Sequence, residues 1–424
     1  MNIALPALAR TQPSPFLATL WRYSLSVAGP VAVSGAHFLA SLLFLRNLSA
    51  AEFGIFSFVL VASSFAMSVS GAGLVLPATH SMMAKDERTT AAVFRLAVAA
   101  GLIFAVVLTA AAMTIGASLS HAAPLGLFGA ALAYRWFVRS LAYIEGRVPT
   151  ILASDLLYGA LVVSGLGAMI ASHTVSLRGG AIVLLLAASF SLAPFGREFL
   201  RRQREGLAAG RLRDYLPAFR NVTGWSLMGV ALTEMTLNAH AYLVTFISGP
   251  GAFALPALGM LLMRPAALVQ SALPDMERPA MMRAFAARDD ARLAHILRDF
   301  RAALALALLA TVLLATSLLA FAPHLLLRQG YGLGDAALAA LLSAAIMAVR
   351  SARAPLGVLL QAAGEFKALA RLSGWSAAIS LAATLALLLA FGPLASLGGI
   401  LLGDVAILIG LRPLAIKARS ALHG

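Results

Sequence analysis

The chain has no cysteine in its 424 residues, which excludes disulfides, zinc thiolates, iron–sulfur clusters and cysteine nucleophiles. Charge is scarce too. Only 12% of the residues are Asp, Glu, Lys or Arg, about half the share of an ordinary soluble domain. So little polar surface cannot coat a water-soluble fold of this size. The eight histidines are scattered and form no H-E-x-x-H pair, so no metal site is expected. A glycine–lysine phosphate loop is also missing, which argues against ATP-driven work. Nothing points to a cofactor or to a catalytic residue.

What remains is apolar and basic. Hydrophobic residues make up 61% of the chain and the mean hydropathy is +0.89, so the expected solvent is lipid. A net charge of +15 can signal nucleic acid, but here the basic residues sit between apolar runs. No nucleic-acid partner is expected. The start of the chain, MNIALPALARTQPSPF, lacks a short apolar stretch ending in small residues and does not read as a cleaved signal peptide.

Apolar runs of bilayer length predict an all-α polytopic membrane protein of about twelve transmembrane helices. The first six expected spans are Tyr23–Leu45, Phe53–Thr79, Phe94–Leu119, Pro124–Tyr143, Pro149–Ala171 and Gly179–Phe195. The second six are Val222–Ser248, Ala252–Leu273, Ala302–Leu326, Asp335–Ala363, Leu369–Phe391 and Pro393–Leu411. Loop charge orients them. On this topology roughly two dozen basic residues, Arg10 included, fall on one side and only Arg46, Arg178 and Arg328 on the other. Both termini are therefore expected in the cytoplasm.

The stretch Arg197–Arg220 is the most polar in the chain and reads as a basic cytoplasmic linker, either a simple tether or an amphipathic helix on the inner leaflet. It divides the chain into an N-terminal lobe (1–200), the linker (201–220) and a C-terminal lobe (221–424). The halves echo one another. Ala51–Ile55 opens the second span as Gly251–Leu255 opens the eighth, and Arg135 precedes Gly146 by the interval that separates Arg353 from Gly364. A parallel repeat with a site between its halves is common in secondary transporters.

Ionisable residues at membrane depth are costly and usually face a cavity or a partner. At about 1.5 Å per residue, His37, Arg135, Glu234, Arg264 and Asp404 all fall near the bilayer midplane. Arg139, Arg350 and Asp155 lie nearer the cytoplasmic side, as does Arg353. Arg135 shares a helix face with Arg139, and Arg350 with Arg353. On one reading Arg135, Arg139, Arg264, Arg350 and Arg353, with His37, line a cationic cavity suited to a diphosphate, because guanidinium forks bind phosphate oxygens bidentately. On the other, the arginines snorkel or pair with Glu145, Asp155 and Glu365. Glu234, with Asn238 on the same face, is the best candidate for ion coupling, and Asp404 is a further one; an ion pair with arginine is the competing role for each. Prolines 30, 77, 256, 265, 274 and 355 fall in or beside spans and predict bends.

The segment Leu45–Ser57, LRNLSAAEFGIFS, resembles the first-hairpin signature of Wzx-type polysaccharide flippases. These belong to the multidrug/oligosaccharidyl-lipid/polysaccharide (MOP) exporter superfamily. Gln361–Lys367 and Gln329-Gly330-Tyr331 are similar to other features of that family, although the Gly-Pro often found after the leucine is missing here. The resemblance implies two six-helix lobes in a MATE-like V that opens alternately to each side. It also implies a cargo of undecaprenyl-diphosphate-linked glycan, flipped across the bacterial cytoplasmic (inner) membrane for cell-surface polysaccharide such as O-antigen or exopolysaccharide. H+ or Na+ would be the coupling ion and a polymerase of the same pathway a partner. Lipid II flippases of the superfamily usually carry two more helices, for which this chain has no room.

Two rivals stand beside this expectation. A cation-coupled multidrug exporter of the same superfamily would want acidic rather than basic cavity residues. A membrane O-antigen polymerase or ligase would want a long outer loop for its catalytic groups, and every expected outer loop is short. The expectation is accordingly a transporter, not an enzyme.

Overall fold

Backbone N–H and C=O groups find no water in lipid, so a chain this apolar must satisfy them within its own helices. The computed structural model describes residues 15–327 and 332–420, and every regular element among them is helical. Arg10, Arg328 and the motif Gln329-Gly330-Tyr331 lie outside the described residues.

The first half runs through α1 (Pro15–Asn47), α2 (Ala50–Ser70), a wide π-helical turn (Gly71–Val75) and α3 (Leu76–Met83). It continues as α4 (Glu87–Thr114), α5 (Leu119–Ile144), α6 (Val148–Ala171) and α7 (Leu177–Phe190). The polar α8 (Gly196–Ala209) and the single turn α9 (Leu216–Ala218) lead into the second half. There follow α10 (Gly224–Ser248), α11 (Pro250–Leu262), α12 (Arg264–Ala286), α13 (Asp290–Phe321) and the short α14 (Pro323–Leu326). The last three are α15 (Leu333–Ala362), α16 (Phe366–Phe391) and α17 (Ser396–Ser420).

Among the described residues nine helical segments are long and apolar enough to cross a membrane. The α11–α12 pair, bent by 58°, makes a tenth if counted as one broken span. Pro265 beside the break has no N–H to donate, which is why the helix cannot run straight on. The other two of the twelve expected spans are α5 and α10, of 26 and 25 residues. Both are long enough, but α5 carries two arginines and α10 carries Glu234, Asn238 and His240, which dilute their apolar character.

The halves repeat local devices as well as helices. Lys85 and Arg288 both adopt left-handed backbone (φ 55° and 53°). Each is followed by an aspartate, Asp86 or Asp289, whose side chain caps the next helix. Gly146 and Gly364, at φ 71° and 78°, close α5 and α15 in the same way.

Hydrophobic packing shows how the two bundles sit. At the end of the molecule where α2 and α11 begin, one continuous core joins them. It brings Phe44, Phe53 and Phe56 of the first bundle together with Phe253, Leu262 and Ala340 of the second. At the opposite end, where α8 lies, the cores are separate: Phe94, Phe137 and Phe195 in the first bundle, Leu297, Phe300 and Leu359 in the second. The buried cores of the two bundles are thus joined at one end and separate at the other. The joint relies on small residues, as expected where lipid offers no hydrophobic drive between helices. Gly54 of α2 packs so closely on Pro250 that a Cβ would come within 1.7 Å of its carbonyl oxygen.

Candidate functional site

The charged residues at membrane depth gather in each bundle, and most of them are cationic. In the first bundle Arg135 and Arg139, one turn apart on α5, converge on Asp155 of α6. Arg135 Nη2 lies 2.5 Å from Asp155 Oδ1, and Arg139 Nη2 lies 3.0 Å from Oδ2. Arg135 also donates from Nε to Ser191 Oγ at 2.8 Å and from Nη2 to Ser154 Oγ at 3.3 Å. Asp155 is fully buried and both arginines are nearly so. Glycine at position 29 lets α1 pass directly over the carboxylate, since a Cβ there would sit 2.3 Å from Asp155 Oδ2.

The second bundle uses the same device on a different helix pair. Arg350 Nε on α15 lies 2.8 Å from Asp404 Oδ2 on α17, and Arg353 Nη2 lies 3.0 Å from Oδ1. Arg350 and Arg353 remain partly exposed while Asp404 is fully buried. His240 of α10 is buried within electrostatic reach of Arg350, with its ring 5.8 Å from that of Phe253. Neither of its nitrogens has a hydrogen-bond partner among the described residues. Each cluster therefore holds two guanidinium groups against one carboxylate.

Arg264 is different. It opens α12 at the break in the eighth span and is only partly buried. Among the described residues it has neither hydrogen bond nor ion pair. It stands in electrostatic reach of His37 on α1 and Tyr158 on α6, both in the other bundle. His37 Nε2 and the Tyr158 hydroxyl share a hydrogen bond of 2.5 Å, and the Arg135 guanidinium lies 4.9 Å from the centre of the Tyr158 ring. His37, Tyr158, Arg135 and Asp155 thus form one contacting polar group in the first bundle, with Arg264 of the second within electrostatic reach of it.

Glu234 and Asn238 lie apart from this group. The Tyr242 hydroxyl donates to Glu234 Oε1, and Asn238 lies one turn further along the same helix. The Tyr242 ring meets Phe58 of α2 edge-on at 5.9 Å, which places the group at the seam between the bundles. Tyr158 and Tyr242 were not singled out from the sequence. Tyr242 continues the face of Glu234 and Asn238 at four-residue steps, a spacing that could have found it. Tyr158 follows Asp155 by three residues, but nothing local shows that His37 would meet it.

Comparison with known proteins places the architecture. No family model matches the chain, and no curated protein does. Solved structures do. An inward-facing multidrug resistance MATE family transporter of the MOP superfamily superposes with a TM-score of 0.65 at 16% identity, over 95% of either chain. The lipid II flippase MurJ, in an inward closed conformation, gives 0.66 at 11% identity, over 96% of this chain and 90% of its own. A MOP superfamily transporter from Pyrococcus furiosus, described as having a binding pocket of reversed polarity, gives 0.61 at 15% identity over 96% of either chain. The fold is that of the MOP superfamily transporters. The neighbours that share the fold are transporters and a flippase.

Proposed function

We propose that this protein is an alternating-access transporter that flips a polyprenyl-diphosphate-linked oligosaccharide from the cytoplasmic to the outer leaflet of a bacterial inner membrane. The lobes would be residues 1–200 and 221–424, joined by the basic linker 201–220, with the end at which the cores are separate and both termini in the cytoplasm. Arg264 carries the reading. It is a cation at membrane depth, free of any carboxylate among the described residues, standing between lobes. Five intramembrane arginines meet two buried aspartates, so the arrangement calls for an anion of more than one charge. A diphosphate meets that need, with Arg264 as first contact and the partly exposed Arg350 and Arg353 in reserve.

The same count weakens the multidrug alternative. A cationic drug needs an acid, yet Asp155 and Asp404 each already hold two arginines. Glu234, with Asn238, is left as the residue proposed for H+ or Na+ coupling; Asp404 is less available. The specific glycan class, Wzx-type rather than lipid II, rests on the Leu45–Ser57 resemblance. Deleting the gene tests the proposal: lipid-linked oligosaccharide should accumulate on the cytoplasmic leaflet. Normal translocation with unpolymerised product would point instead to a polymerase.

A further inference from the structure

The second bundle has a groove that the first bundle fills. In the first, α8 folds back onto α4 and α5. Gln203 Nε2 donates to the Phe94 carbonyl at 2.8 Å, and Gln203 Oε1 accepts from the Tyr134 hydroxyl at 2.8 Å. Gly206 comes close enough that a Cβ would meet Phe94 Cβ at 2.4 Å. What remains between Phe94, Val138, Leu141 and α8 is a void of about 20 Å³.

The repeat locates the matching surface. Counted from the capping aspartates Asp86 and Asp289, Phe94 corresponds to Leu297. Counted back from the left-handed Gly146 and Gly364, Tyr134, Val138 and Leu141 correspond to Ala352, Leu356 and Leu359. Those four residues line a groove of about 570 Å³ between α13, α15 and α17, a size suited to a ligand. No helix equivalent to α8 covers it among the described residues, and the tyrosine that held that helix is an alanine here.

The walls are apolar, but Arg301 and Arg412 stand in them. Both are exposed, and among the described residues neither has a hydrogen bond or ion pair. Arg419, in contrast, is tied to Asp290 at 2.8 Å, which closes the end of the groove nearest the chain terminus. The α13 wall from Leu297 to Leu308 is about 16 Å long at 1.5 Å per residue, roughly the depth of one leaflet. Around it the large apolar side chains of Leu306, Ile409 and Ile416 are exposed. The walls α13, α15 and α17 pack within their own bundle, whereas α10 and α11 are the helices packed on α2.

We propose that this groove binds an anionic phospholipid, with an acyl chain along Leu304 and Leu308 and the phosphate on Arg301 and Arg412. Two unpaired cations at the mouth of an apolar slot match that amphiphile and no neutral one. The lipid does for the second bundle what α8 does for the first, sealing the outer face of α15. The groove does not include Arg264 and is independent of what the transporter carries.

Native mass spectrometry of the full-length, delipidated protein tests this with dioleoyl-phosphatidylglycerol or dioleoyl-phosphatidylcholine added. The first phosphatidylglycerol should bind at least about tenfold more tightly than phosphatidylcholine. The double variant Arg301→Gln/Arg412→Gln should erase that preference, while Arg298→Gln, outside the groove on the same helix, should keep it. Filling the groove with Ala348→Trp should remove tight binding of either lipid. Equal affinity for the two lipids, or a preference untouched by the double variant, would overturn the proposal. So would displacement by inorganic phosphate, which marks a free-anion site. A dimer lost on filling the groove, with no lipid retained, would assign the surface to a second copy of the chain.

Discussion

Gly54, in the first turn of α2, touches the Pro250 carbonyl at the first turn of α11, so the two repeats cross through their backbones. A side chain at position 54 would overlap a backbone oxygen that cannot swing away. Gly54→Leu should therefore pry the joined end apart. Because the chain is naturally free of cysteine, a Met263→Cys reporter can be read without background. Met263 is buried, and its thiol should label slowly with a membrane-impermeant maleimide at Gly54 and many times faster in Gly54→Leu. Unchanged labelling would mean that this contact does not hold the bundles together.

The buried ion clusters predict a stability effect. Replacing Asp155 with Asn leaves two buried guanidinium groups without a counter-charge, and breaking such a pair costs about 3–5 kcal/mol. Asp404→Asn should cost less, because Arg350 and Arg353 are more exposed than Arg135 and Arg139. Thermal unfolding in detergent should show a clear drop for Asp155→Asn and a smaller one for Asp404→Asn. The reverse order would mean that the second cluster is the better buried in the membrane.

Glu234 is held by the Tyr242 hydroxyl rather than by an arginine. Glu234→Gln keeps the shape and the hydrogen-bonding capacity while removing the charge. In proteoliposomes the variant should retain downhill flipping and lose acceleration by a pH or Na+ gradient. Gradient-driven transport at the wild-type rate would remove Glu234 from the coupling role.

Outside the membrane, Asp86 caps α4, and hydrogen bonds from Thr89 hold its carboxyl below the usual aspartate range. A depressed carboxyl stabilises the fold above its unfolded value and loses that contribution as pH falls through the folded one. Asp86→Ala should lower thermal stability by about 1 kcal/mol at neutral pH. The difference from the parent should shrink as the pH is taken below 4. A difference independent of pH would assign the loss to helix propensity instead of the charged cap.

Much of the architecture was readable from run length alone, because a bilayer imposes one helix length on every span. The less apolar α5 and α10 were read from run length as well, and the alternation of loop charge agrees with counting them. The arginine pairs were readable too, since spacings of three and four residues put side chains on one face. Their partners were less so. Asp155 and Asp404 are supplied by other helices, and the choice depends on how each helix is rotated in its bundle. The contact of His37 with Tyr158 spans 121 residues and follows from the packing of α1 on α6, which no local pattern encodes. Nor does periodicity tell that four of the five arginines sit on carboxylates and that Arg264 does not. That difference is a matter of where helices break and cross.

The direct test is reconstituted flipping of a polyprenyl-diphosphate-linked oligosaccharide by wild type, Arg264→Ala and Arg264→Lys. The alanine variant, which breaks no ion pair among the described residues, should fold and express normally. It should flip at least about tenfold more slowly, as expected when one charge-assisted contact is lost. Lysine, which restores charge but not the bidentate fork, should recover only part of the rate. Wild-type flipping by Arg264→Ala at equal protein levels would contradict the account.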